Sequence, residues 1–412
     1  MIIWRERLTG NEAHRYFSRN LFSERFPCLN PRSLKNGFTY LDAQTDDARF
    51  TLEVIEGALS AGAVCLNYCK VNEFLDGNGQ VRGTNVRDGV EDQSVKVFAR
   101  QVVNTTGQWL TQTQPGHAGC RLTKGVHLIL PKVLENEALL LTAKADGRVF
   151  FMIPWYGLTL LGTTDTPYAG DIEQIKVEAD DMDYLLTEAN RVLHAVHWKK
   201  SDIIGQYAGL RVLKQSSETS PSAASRDWEL KTARNGLLMS IGGKFTSARE
   251  DAAQIVDTVC KNLHINAVCK THGRPFPWLP ETDFCLWTAS TLAAAKALGI
   301  DDESALWLIK CHGKRVPLIF EQCVQDPRLI KRMIPSLPFI GADLVFCARH
   351  EMMVHLDDLL RRRLPLFILA KMTPAEYRPI TGIIAATLGW DADKLRNELA
   401  ICTRKGFFSE AP

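Results

Sequence analysis

The 412-residue chain lacks most of the features that assign a function at sight. It has no C-x-x-C pair. Its eleven cysteines are scattered, Cys65 and Cys69 being the closest, so nothing in their spacing points to an iron–sulfur or zinc site. It has no excess charge of either sign: 49 basic and 47 acidic side chains leave a net +2, which removes the case for a nucleic-acid partner. No apolar run reaches transmembrane length, and the opening "MIIWRERLTG" is too short and too charged for a signal peptide. It also has no G-x-G-x-x-G. The nearest triplet is Gly77, Gly79 and Gly83, but Arg82 stands where the third glycine belongs, and a hairpin follows instead of a helix.

What remains is the composition of a soluble globular protein, 45% hydrophobic and 23% charged, long enough for two or three domains with real cores. Unpaired thiols in a chain of this size imply a reducing compartment, cytoplasmic or facing the cytoplasm.

The pattern along the chain divides it. Residues 1–36 are polar and aperiodic and read as a flank. In "TDDARFTLEVIEGALSAGA", Phe50, Val54, Ile55, Ala58 and Leu59 fall on one helical face, with Thr45 or Asp46 as cap and Gly62 as stop. "AVCLNYCKV" reads as a strand, "LDGNGQVRG" as a hairpin turn and "SVKVFARQVVNTTGQW" as the return to a sheet. Residues 119–235 read mostly as antiparallel β, with turns at Asp146-Gly147 and Tyr156-Gly157 and one helix over about 177–196. After "GRPFPWLP" the character is helical. "TPAE" at 373–376 is a capping box with Pro374 at the first helical position, Asp391 caps the last helix, and Gly299 and Gly389 suit helix ends.

The stretch "SIGGKFTSARE" is the most informative. An apolar strand from Gly236 to Ile241 runs into Gly242-Gly243 and then a helix, so a ligand can meet bare backbone and unpaired N–H groups. Lys244 at a helix start would oppose the helix dipole, which implies a role toward a ligand. His194 and His197 are spaced i, i+3 within the expected helix, but no third ligand accompanies them, so we expect no metal.

These segments carry a family likeness. "GFTYLDAQTDDAR", "VVNTTGQW", "KGVHLILP", "IPWYGLTLLGTTDTPY", "YAGLRVL", "SRDWEL", "GGKFTSAR" and "ARHEMMVHLDDLLRRR" stand in the order they have in FAD-dependent respiratory glycerol-3-phosphate dehydrogenases. The chain resembles that family from about Gly37 onward, without its glycine-rich FAD fingerprint. The resemblance implies an α/β plus α architecture: an incomplete FAD-binding Rossmann-like domain (37–118 and 236–268), an inserted antiparallel β substrate domain (119–235) and a C-terminal helical domain (281–412).

It also implies a chemistry. A secondary alcohol is oxidised as hydride leaves C2 for flavin N5 while a base takes the hydroxyl proton. His127 matches the family's active-site histidine, with Lys244 and Arg211 beside it as catalytic groups. A phosphomonoester needs several cations, and Arg226 would join Arg211 there, with Thr164 and Asp165 at the substrate end. FAD would be met by Val71, Thr106, Gly107, Gly243, Lys244, Phe245 and Thr246. The partners implied are glycerol 3-phosphate and a quinone, with a separate N-terminal segment to complete the cofactor grip. Without that segment the chain is expected to be inactive alone. Arg361-Arg362-Arg363 could touch anionic lipid on the cytoplasmic face of a membrane, although closing a helix before Pro365 and pairing with Asp357 and Asp358 explains them as well. Two other functions stay open: a non-catalytic remnant serving as an interaction protein, and an oxidase of the amino-acid-oxidase type, against which the arginine set argues.

Overall fold

The computed structural model describes residues 14–32, 34–113, 120–194, 196–214 and 227–407. They fall into two compact units: residues 1–65, 192–196 and 275–412 in one, and 66–191 and 197–274 in the other.

The first unit opens with β1 (His14–Ser18), α1 (Arg19–Arg25) and β2 (Asn36–Tyr40), where β1 and β2 pair antiparallel. The sequence pattern left most of this segment as an aperiodic flank. Helix α2 (Asp47–Ser60) follows, its N-terminus capped by Asp46, whose carboxylate accepts the Arg49 N–H at 3.1 Å.

In the second unit, β3 (Cys69–Gly77), β4 (Gln80–Asp88) and β5 (Gln93–Phe98) form a meander, turning at Asn78-Gly79 as the sequence predicts. The expected strand "AVCLNYCKV" is shorter than its apolar run. Residues 63–68 pair with no described strand, and β3 begins only at Cys69. Next come β6 (Val103–Asn104) and the short helix α3 (Leu110–Thr113), and then the large antiparallel sheet: β7 (Cys120–Leu130), β8 (Leu139–Thr142), β9 (Val149–Trp155), β10 (Leu158–Gly162) and β11 (Thr166–Tyr168). Helix α4 (Ala179–Val192) interrupts it before β12 (Gly205–Lys214) pairs along β7. Lys124 reaches from β7 to Asp181 of α4 at 2.7 Å. Finally β13 (Glu229–Thr232), β14 (Leu238–Ile241) and α5 (Ala248–Asn262) close the unit. β14 lies parallel to β6 and antiparallel to β13, over a core of Val81, Leu110, Leu237, Met239 and Ile241.

The helix expected over 177–196 stops at Val192, because Leu193 bridges to Leu29 and the His194 N–H goes to the Cys28 carbonyl. His194 and His197 therefore do not share a helix face.

The chain then returns to the first unit as α6 (Phe284–Leu298), α7 (Asp302–His312), α8 (Val316–Gln325), α9 (Gly341–His350), a π-helical turn (Asp358–Arg363), α10 (Leu366–Leu369), α11 (Pro374–Leu388) and α12 (Ala392–Arg404). Gly299 and Gly389 end their helices in the left-handed region, and the Thr373 N–H donates to Glu376 as a capping box requires. Helix α9 is buried from Gly341 to Ala348 and forms the centre.

The buried face of α2 corrects the periodicity argument. Val54 and Leu59 are exposed, whereas Arg49 and Glu53 are buried. Arg49 forks onto Glu351, at 2.5 and 2.8 Å, and donates to the Cys311 carbonyl at 2.8 Å. Glu53 accepts the Trp278 N–H, and the Arg315 guanidinium lies 3.6 Å from the Trp278 ring centre. His312, fully buried, places one ring nitrogen 2.7 Å from Asp343 and turns the other toward Arg49 and Arg315. Two cations on that side require it to be the acceptor, so the proton sits on the Asp343 side. Burial pushes the imidazole pKa down, against the pull of Asp343. Cys347 joins His312 and Asp343 in a cluster of metal-ligand type, but the neighbouring guanidiniums would repel a cation. Burial alone would raise the Glu351 carboxyl. Arg49, by charge and hydrogen bond, and Arg315 outweigh it and hold the group far below the usual carboxylate range.

Breaking this pair leaves a buried carboxylate short of its main partner. Arg49→Ala should cost about 3–5 kcal/mol in the unfolding free energy of the helical unit, read from urea titration. A loss near 1 kcal/mol or less, the value of a surface pair, would refute the assignment.

Candidate active site

The register of β7 and β12 builds the site. His127 stands opposite Tyr207, Gly125 opposite Gly209 and Thr123 opposite Arg211, so alternation puts all six on one face of the sheet. Across the other edge of β7, Gly162 of β10 stands opposite His127. His127 stacks on Tyr207 with ring centres 4.9 Å apart and planes 18° from parallel. A Cβ on Gly162 would lie 2.3 Å from the imidazole, and one on Gly125 would lie 2.5 Å from the Arg211 guanidinium. Both candidate side chains thus lie across glycine backbone.

Arg211 is held in place. It donates to the Thr163 hydroxyl at 2.8 Å, the Thr164 carbonyl at 3.1 Å and the Asp165 carboxylate at 3.3 Å. The Thr164 hydroxyl accepts the Val126 N–H at 3.1 Å and is buried, so it braces β7 instead of reaching into open space. Burial first, and then the charge of Arg211, lower the His127 pKa from 6.5 to about 4. The imidazole is neutral at physiological pH.

Thr106 and Gly107, and Gly243 to Thr246, lie at the carboxyl ends of two neighbouring parallel strands, β6 and β14. After β6, the Asn104 side chain accepts the Thr106 N–H and hydroxyl at 3.1 and 2.7 Å, and Gly107 follows at φ +58°. A Cβ there meets no described atom within 4 Å. After β14, Gly243 has φ +107°, and Lys244, Phe245 and Thr246 are exposed. Lys244 is extended ahead of a short 3₁₀ turn, and α5 begins only at Ala248. The sequence argument that its charge opposes a helix start is therefore corrected: the helix begins four residues later, with Glu250 and Asp251 in its first turn. Strand β12 packs against both the Gly107–Trp109 turn and β14, which links the two groups. Val71 belongs to a different sheet, opposite Val86. Arg226 lies outside the described residues.

Two glycine turns leave the carboxyl ends of adjacent parallel strands, the location at which α/β sheets bind nucleotides. A flavin there would be met by main chain at Thr106-Gly107 and Gly243–Thr246. The sequence offers no glycine-rich turn for a diphosphate.

Residues 2–249 match a family described as FAD dependent oxidoreductase, and residues 281–395 match the C-terminal domain of alpha-glycerophosphate oxidase. An aerobic glycerol-3-phosphate dehydrogenase of Staphylococcus aureus (strain MRSA252) is 31% identical over 377 residues, covering 87% of this chain and 67% of the relative. The chain belongs to the FAD-dependent glycerol-3-phosphate dehydrogenase family. A relative with the same description from Staphylococcus haemolyticus is 31% identical over 380 residues, with the same coverage of both chains. The crystal structure of the Bacillus halodurans glycerol-3-phosphate dehydrogenase complexed with FAD superposes with a TM-score of 0.83 at 27% identity, covering 96% of this chain and 80% of that one.

Sequence reasoning missed Tyr207, Gly125, Gly162, Gly209 and Thr163. The alternations Thr123-x-Gly125-x-His127 and Tyr207-x-Gly209-x-Arg211 were visible, but only the register sets one against the other.

The depressed His127 pKa has a consequence for stability. Between pH 6.5 and about 4, the unfolded chain binds a proton there that the folded chain refuses. Stability therefore falls as pH falls through that window. His127→Gln removes this contribution, so its thermal midpoint should decline less steeply across the window than the parent's. Equal slopes would mean the imidazole is not desolvated.

Proposed function

We propose that this family member oxidises sn-glycerol 3-phosphate to dihydroxyacetone phosphate. The observation that carries the reading is the shared face of β7 and β12, which sets a neutral imidazole and a braced guanidinium along one row. FAD, held by main chain at Thr106-Gly107 and Gly243–Thr246, would supply the hydride acceptor for C2, with a quinone as the onward electron acceptor in this reading.

The protein's own residues do the rest. Arg211, with Arg226, takes the phosphate, each charge-assisted bond being worth about 1.5–3 kcal/mol. His127 receives the C2 hydroxyl proton as the C2–H bond breaks. A phosphate dianion on Arg211 cancels the charge that repels a proton from His127. The imidazole becomes a stronger base once substrate is in place. Thr163 and Asp165 keep the guanidinium aimed, and Lys244, ahead of α5, supplies positive charge at the flavin end. Main chain at Gly107 and Gly243 lets the ring approach.

The quinone reading rests on the family resemblance alone. Among the described residues, no helix is long and apolar enough to cross a membrane. Arg363 is buried on the carbonyls of Glu351 and Met352, and the Arg361 guanidinium lies 5.4 Å from the Phe407 ring centre, which leaves Arg362 as the exposed member of the triplet. Peripheral contact with anionic lipid would thus rest on one exposed arginine of the three.

The test is a dye-reduction assay of the purified chain with FAD and glycerol 3-phosphate, run with and without a supplied segment carrying a G-x-G-x-x-G turn. That segment should raise FAD retention and turnover. In the active preparation, His127→Gln should lower kcat about 10²–10⁴-fold, the usual worth of a general base. Activity within about twofold of the parent would remove His127 from the chemistry.

A further inference from the structure

We propose that Gly209 sets the size of the substrate, its missing side chain leaving the space in which the carbon chain of a three-carbon polyol phosphate lies between His127 and Arg211. The inference rests on the reading above and extends it to a residue outside the charged machinery. Gly125, Gly162 and Gly209 stand on this face around His127 and Arg211, and two of them are accounted for by protein atoms: Gly125 lies under Arg211 and Gly162 under His127. Gly209 differs. It is exposed in mid-strand, and a Cβ on it meets no described atom within 4 Å. Glycine weakens a strand interior, so an open one marks a place where something else approaches the backbone.

Its position fits one occupant. Gly209 stands between Tyr207, which stacks on His127, and Arg211, whose guanidinium folds back over Gly125. From the His127 level to the Gly125 level is two residues along an antiparallel strand, about 7 Å. That span suits a phosphate carried one carbon away from the reacting alcohol carbon. A longer chain would push the phosphate past the guanidinium, and free glycerol would leave the cation unused.

Because Gly209 does not have a left-handed φ, a side chain fits its backbone without strain. Gly209→Ala and Gly209→Val should therefore keep the parent's circular dichroism and thermal midpoint while filling the space. Calorimetric titration of the 412-residue chain with sn-glycerol 3-phosphate and with inorganic phosphate reads the effect. The parent should bind glycerol 3-phosphate more tightly than phosphate. Gly209→Val should lose about tenfold or more in glycerol 3-phosphate affinity, the scale of a methylene-sized misfit, with phosphate affinity changed less than about twofold, and Gly209→Ala should fall between. A valine variant that keeps the parent's preference, or that loses phosphate equally, overturns the role of Gly209. A parent that binds neither anion instead refutes the reading of the site as a glycerol 3-phosphate pocket, and this proposal with it.

Discussion

The antiparallel register of β7 and β12 is the constraint on which the candidate site depends. Ten consecutive pairs, from Gly205 opposite Ile129 to Lys214 opposite Cys120, settle which side chains share a face. A slip of one residue would send either His127 or Arg211 to the side occupied by α4. Burial holds the register: Val126 and Leu128 are fully buried and Lys124 pairs with Asp181 on the other face, so a slipped strand would bury the wrong set. The chemistry on one face is specified by the packing of the other.

A buried charge network sits at the centre of the helical unit, among its apolar side chains. Arg49, Glu351, His312, Asp343 and Arg315 are joined by short hydrogen bonds among Trp278, Trp307 and Phe346. Such a network is worth little over an apolar core of equal volume, but it penalises any arrangement that leaves one member unpaired. It fastens α2, early in the chain, to α9, some three hundred residues later.

Much of the architecture was legible because local signals were strong. Asn78-Gly79, Tyr156-Gly157, the Thr373–Glu376 box, Asp391, and Gly299 and Gly389 each act within a few residues, and each stands where the sequence put it. Misreadings came where distant partners decide. Periodicity assigned the apolar side of α2 to the core, since nothing local reveals that Arg49 and Glu53 will find Glu351 and the Trp278 N–H. The helix before His194 ended early because Leu193 met Leu29. At the candidate site, His127 and Arg211 were named from motif and resemblance, and the register brings these two to one face. The glycine floor was not legible, since a glycine's meaning there lies in what stands on the opposite strand.

Asp165 at 3.3 Å from Arg211 shapes what the pocket will notice. A guanidinium already sharing its charge with a carboxylate presents a weak field to its surroundings. Chloride, or a carboxylate metabolite with a single negative charge, has little to gain beside that partner. A doubly charged phosphate does. In the proposed reading the resident carboxylate works as a threshold that favours a dianion over singly charged anions.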